Sequence, residues 1–112
     1  MNTERVQLLR NALTTYSWRM KALSSNLANM DTPNYKRLAV SFEDRMQEVR
    51  HSLPGIRDAT DVTPRMRVQD SAPVLEDELM MLADTQMRNQ FGTRALRDHF
   101  DMLRMGIVGR PQ

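Results

Sequence analysis

His51 and His99 are the two side chains of this 112-residue sequence best suited by type to move protons or hold a metal. They lie far apart, and neither belongs to a spacing such as H-E-x-x-H, which sets two ligands on one helix face. Both are read as surface histidines. Cysteine is absent, which removes disulfides and thiolate metal sites. The acidic neighbours Glu43/Asp44 and Asp98/Asp101 stand among basic residues, the setting of a solvated helix face and not of two carboxyls tuned apart for acid–base work. G-x-S-x-G, the P-loop and G-x-G-x-x-G do not occur. No enzyme, no metal and no cofactor are expected.

What remains is the chemistry of apolar surfaces, carried by two ladders. Near the N-terminus run Val6, Leu9, Leu13, Tyr16, Met20, Leu23, Leu27 and Met30, alternating in steps of three and four. Near the C-terminus run Leu75, Leu79, Leu82, Gln86, Asn89, Thr93, Leu96, Phe100, Leu103 and Ile107, in the same alternation. A 3.5-residue period keeps one stripe facing a partner helix over many turns. The expected fold is therefore mainly α: long N- and C-terminal helices forming an antiparallel coiled-coil hairpin, with a short loop or β segment between them. The two ladders are its intrachain seam. The polar centre of the second ladder, at Gln86, Asn89 and Thr93, would fix register at some cost in stability.

Local signals set the boundaries. Thr3 is a good N-cap, with Glu4 favourable in the first turn, and Pro33 stops the helix that began there. The stretch Asp31-Thr32-Pro33-Asn34 reads as the site of a tight turn, one in which Pro33 takes the second position and Asn34 tolerates positive φ at the third. Leu38, Val40 and Phe42 alternate as in a short strand with one buried face. Residues 43–50 suggest a short polar helix with Met46 and Val49 on one side, and Leu53-Pro54-Gly55-Ile56 a turn. Arg65–Val68 suggests a short edge strand. The last helix is expected from about Pro73, with Glu76, Asp77 and Glu78 in its first turn, to about Gly106, with Arg104 in its last. One structural domain results: an N-terminal helix over 1–30, a turn and irregular or short β segment over 31–73, and a C-terminal helix over 74–108.

A second set of large side chains does not fit the seam. Met80, Met87, Phe91, Ala95, Met102 and Met105 lie off it on the last helix, and Trp18 lies opposite it on the first. A two-helix hairpin leaves such positions in water, and large apolar side chains there call for cover. Either the middle segment folds over them or other subunits do. Trp, Phe and Met are enriched where proteins meet, which favours a subunit interface at Trp18, Met80, Met87, Phe91, Met102 and Met105.

Composition agrees with a chain that finishes its surface by assembly. Apolar residues make up 40% and aromatics 5%, thin for a self-sufficient core of this length, and the 10 Met suit adaptable contacts. The termini are expected to be partly unfolded in the free monomer and to order on assembly. Formal net charge is only +2, and basic and acidic residues alternate, which argues against a nucleic-acid surface. The first residues lack the apolar core of a cleaved signal peptide, and no stretch has the ~18 apolar residues needed to span a bilayer.

The stretch Ser24-Ser25-Asn26-Leu27-Ala28-Asn29-Met30-Asp31-Thr32-Pro33-Asn34-Tyr35-Lys36 resembles the N-terminal signature of bacterial flagellar rod and hook proteins. In that signature an Asn-x-x-Asn pair closes the first helix before a Thr-Pro-Gly-Tyr-Lys-like turn. Here Asn26, Asn29, Asp31, Thr32, Pro33, Asn34 and Tyr35 carry it, with Asn34 in place of the usual Gly. Asn26 and Asn29, one turn apart, can bond the orphan carbonyls of the helix end and the turn backbone, and Tyr35 can pack its ring with its hydroxyl wet. Residues 75–83, 88–90 and 100–107 are similar to those of proximal rod proteins in that family.

The resemblance implies a structural subunit of the basal-body rod, exported without a cleaved signal into the periplasm. The implied partners are copies of itself, other rod proteins, the basal-body ring or its adaptor, and the flagellar export apparatus, with no nucleic acid and no lipid insertion. The implied role is to link the membrane ring to the distal rod and hook and to transmit torque. The alternative is a cytosolic helical adaptor or export chaperone, which accounts for the heptads but not for the turn.

Overall fold

Thr3–Ala28 forms α1, a helix whose sequence contains neither Gly nor Pro and carries Glu4 in its first turn. It closes with Asn29 N–H donating to Ser25 O at 3.0 Å and Met30 N–H to Leu27 O at 3.3 Å, the tightening usual in a last turn. The following chain reverses through Thr32-Pro33-Asn34-Tyr35, with Tyr35 N–H donating to Thr32 O. Asn34 has φ 61°, the left-handed value that the third position of a type II turn requires. This computed structural model describes residues 3–43, 46 and 62–108, with the side chains of Thr3, Ile107 and Val108 outside that set. His51, Val49, the Leu53–Ile56 turn and the seam position Ile107 fall outside the described residues.

Leu38–Ser41 forms β1 and Arg65–Val68 forms β2, paired antiparallel with Leu38 opposite Val68 and Ser41 opposite Arg65. Val40 and Phe42 are buried, as their alternation predicts, while all four residues of β2 are exposed. Met46 N–H donates to Phe42 O at 2.9 Å, one helical turn past the strand. Leu75–Val108 forms α2, with Glu76, Asp77 and Glu78 against the positive end of its dipole. Pro73 stands just outside this helix, buried, where its missing N–H costs nothing. Because α2 continues to Val108, Arg104 lies inside it and no basic residue occupies the last turn.

The two long helices run antiparallel. Asn26 near the end of α1 meets Glu78 near the start of α2, and Leu13 meets Gly92. Carried along that register, the start of α1 stands opposite Phe100–Leu103, and the final turns of α2 run past it. Ala22, Leu23, Val40, Phe42 and Val62 are the buried apolar residues, and Asn11, Thr15, Asn26, Glu78, Thr85 and His99 are buried polar ones. No buried side-chain nitrogen or oxygen among the described residues lacks a hydrogen-bond partner. Overall extents are 61 × 39 × 14 Å, so the molecule is elongated and flat.

Candidate functional site

The end of α1, the turn, the sheet and the start of α2 converge on Asn26. This side chain is 0% exposed and uses its full hydrogen-bonding capacity. Its Oδ1 accepts from Leu38 N–H at 2.8 Å and from the Tyr35 hydroxyl at 3.1 Å. Its Nδ2 donates to Leu38 O at 2.9 Å and to Glu78 Oε1 at 2.8 Å. Ser25 Oγ lies 3.0 Å from the same Tyr35 hydroxyl. Asn29 Nδ2 donates to Ser25 O at 2.9 Å, satisfying a helix-end carbonyl as its position predicts, and Thr32 Oγ1 donates to Asn29 Oδ1. Two expectations change. Asn26 bonds the strand and the second helix, not the carbonyls of its own helix end. The Tyr35 hydroxyl is held by Asn26, not left to water. Asp31, Thr32, Pro33 and Asn34 form the exposed rim of the turn.

Glu78 is 1% exposed and is held by Arg37, whose Nε donates to Oε2 at 2.8 Å and whose second guanidinium nitrogen donates to Oε1 at 3.1 Å. Arg37 also donates to Gln69 Oε1, so one guanidinium ties the sheet to α2. Burial pushes the Glu78 carboxyl up, but the hydrogen bonds from Arg37 and Asn26 outweigh it and hold the carboxyl below its ordinary range. A similar fork links Arg19 of α1 to Glu43 at 2.8 and 3.2 Å. Hydrogen bonding to Arg19, stronger than the opposing burial, keeps the Glu43 carboxyl below its usual range as well. Arg19, Arg37 and Glu78 were not among the predicted site residues. The signal that marks Glu78 is a seven-residue spacing of small or polar residues, Glu78, Thr85, Gly92 and His99, all buried.

That spacing also corrects the phase of the α2 seam. Leu82 and Leu96 are partly covered, as are Val6, Leu9, Leu13, Tyr16, Met20 and Leu27 of α1, and Leu23 is buried. Leu79 and Phe100 are each 49% exposed, and Leu75 and Leu103 are similarly open. The positions that close on α1 are Glu78, Thr85, Gly92 and His99, in each case one residue before an expected seam position. The cause is close approach. A Cβ added at Gly92 would stand 2.9 Å from a methyl of Leu13, so the helices meet where α2 has no side chain. His99 is likewise buried and not a surface residue. Leu103 is open for another reason, since α2 there passes the start of α1.

The proposed subunit-interface residues lie where they can meet a partner. Phe91 is 62% exposed, Met102 67% and Met80 70%, with Met87 and Met105 also exposed. At 100° per residue these five positions share one flank of α2, to one side of the line that closes on α1. Trp18 is 39% exposed on α1. An open groove of about 420 Å³, lined by Leu8, Leu9, Ala12, Phe42, Met46 and Ala95 with Arg5 at its side, adds apolar surface beside them.

The described residues thus present two long terminal helices, a small sheet pinned to a helix end, and an uncovered apolar flank. Residues 7–36, which contain α1 from its second turn and the whole turn motif, match the family model described as flagella basal body rod protein. The chain is 26% identical to the flagellar basal body rod protein FlgB of Bacillus subtilis (strain 168), over 93% of either protein. It is 38% identical to FlgB of Aeromonas hydrophila over 57% of this chain and 48% of that one. The chain is thus similar, over these stretches, to flagellar basal body rod proteins of the FlgB type.

Proposed function

We propose that the chain is a structural subunit of the proximal flagellar rod, located in the basal body. In this reading it polymerises through its terminal helices with copies of itself and other rod proteins, links the membrane ring to the distal rod and hook, and transmits torque. It reaches the periplasm through the flagellar export apparatus. The observation that carries the reading is the Asn26–Tyr35 motif of the matched family, docked at the base of two helices whose outward flank is apolar. The network around Asn26 and Glu78 sets the angle between helix pair and sheet, and the flank of Met80, Met87, Phe91, Met102 and Met105 meets the neighbour. No helix among the described residues is long and apolar enough to cross a membrane.

The test is genetic and structural together. A deletion strain should lack flagella and motility while growing normally, and the wild-type chain should restore both. A chain carrying Phe91→Asp and Met102→Asp should keep the helicity of the purified protein, since both sites are exposed, yet fail to restore motility. Swimming by the deletion strain sinks the assignment; full rescue by the double variant sinks the flank as an interface.

A further inference from the structure

The two edges of the β1–β2 sheet are finished differently. In an antiparallel pair, alternate residues aim their N–H and C=O at the neighbouring strand and the others aim them away. Gln69 N–H donates to Arg37 O at 2.9 Å, in line with the register that sets Ala39 opposite Arg67 and Ser41 opposite Arg65. The outward backbone groups of β1 therefore belong to Leu38 and Val40, and those of β2 to Met66 and Val68. On β1 three of these four groups, all but the Val40 N–H, are taken by α1. Asn26 both donates to and accepts from Leu38, as a paired strand would, and Arg19 donates to Val40 O at 3.2 Å. On β2 the outward groups of Met66 and Val68 have no partner among the described residues, and all four strand residues are exposed.

An unpaired strand edge is a template for another strand, and the side chains decide which. Arg65 and Arg67 share one face of β2, and Met66 and Val68 the other. Neither arginine forms an ion pair among the described residues. Two copies of β2 pairing edge to edge would set arginine against arginine, a like-charge arrangement that disfavours self-pairing. A strand alternating carboxylates with apolar residues meets no such repulsion, and it complements both faces at once. We propose that the outer edge of β2 is a docking site for an extended acidic segment of a different protein. The segment adds as a third strand, its carboxylates over Arg65 and Arg67 and its apolar side chains over Met66 and Val68.

A blocked peptide alternating Glu and Val, titrated into the isotope-labelled full-length chain at low salt, tests this. The Met66 and Val68 amides should shift and exchange with solvent roughly tenfold more slowly. A peptide alternating Lys and Val should leave them unchanged. The double variant Arg65→Glu, Arg67→Glu should reverse that preference. Val68→Pro removes an outward donor that the ladder with β1 does not use. It should abolish binding while the Gln69 amide stays protected, which shows the sheet intact. Unmoved Met66 and Val68 amides at millimolar acidic peptide, equal binding of the Lys peptide, or dimerisation through this edge would each overturn the proposal.

Discussion

The side-chain amide of Asn26 stands in for a backbone peptide group. It gives Leu38 the donor and acceptor that a neighbouring strand would supply, and it holds Tyr35 and Glu78 with its remaining valences. Asn26→Ala should cost roughly 2–4 kcal/mol, because several buried groups lose partners at once. Asn26→Asp should cost more near neutral pH, since it loses both donors and sets a second carboxylate against Glu78. Urea denaturation followed by circular dichroism measures both. Glu78 makes the pH dependence predictable. Its carboxyl is held lower in the folded state than in the unfolded one, so its contribution is complete above the unfolded pKa and is lost as pH falls through the folded one. Glu78→Gln should therefore be clearly less stable than wild type near pH 7, and the gap should shrink towards about pH 3. A gap that stays constant with pH would mean that the carboxylate charge is not what binds Arg37.

At the level of elements, Gly92 decides how closely α1 and α2 pack. Glycine costs a helix roughly 1 kcal/mol relative to Ala, and here the cost permits contact with Leu13. Gly92→Val should destabilise the protein by roughly 1–3 kcal/mol through overpacking. Adding Leu13→Ala should recover part of that loss, a non-additivity that a double-mutant cycle of thermal melts would read. The same residue explains what the sequence disclosed and what it did not. The start of α1 at Thr3 and the positive φ of Asn34 are set by neighbours a few residues away and were legible, as were the positions of the strands at Leu38–Ser41 and Arg65–Val68, although Leu38 pairs with Val68 far along the chain. The phase of α2 was not. Apolar periodicity gives the spacing of a stripe but not which side closes on the chain's own partner, and a slip of one residue turns the helix by 100°. On α2 the inner line is small or polar while flanking apolar positions are left open. The Arg37–Glu78 pair was hidden because its members are 41 positions apart and neither carries a local mark of burial.

For the molecule as a whole, the decisive dimension is the smallest, 14 Å. A flat body built on two long helices cannot hide every side of them, and the residues left bare here include Phe91, Met80 and Met102. Its resistance to heat should accordingly be a collective property, rising as copies cover one another's flanks. Calorimetry over a thousandfold range of dilution should show the transition midpoint climbing steadily with protein concentration, and Phe91→Asp should flatten that climb. On that reading abundance itself is a stabilising agent: the scarce, newly made chain should be the soft one, and the chain among many the durable one.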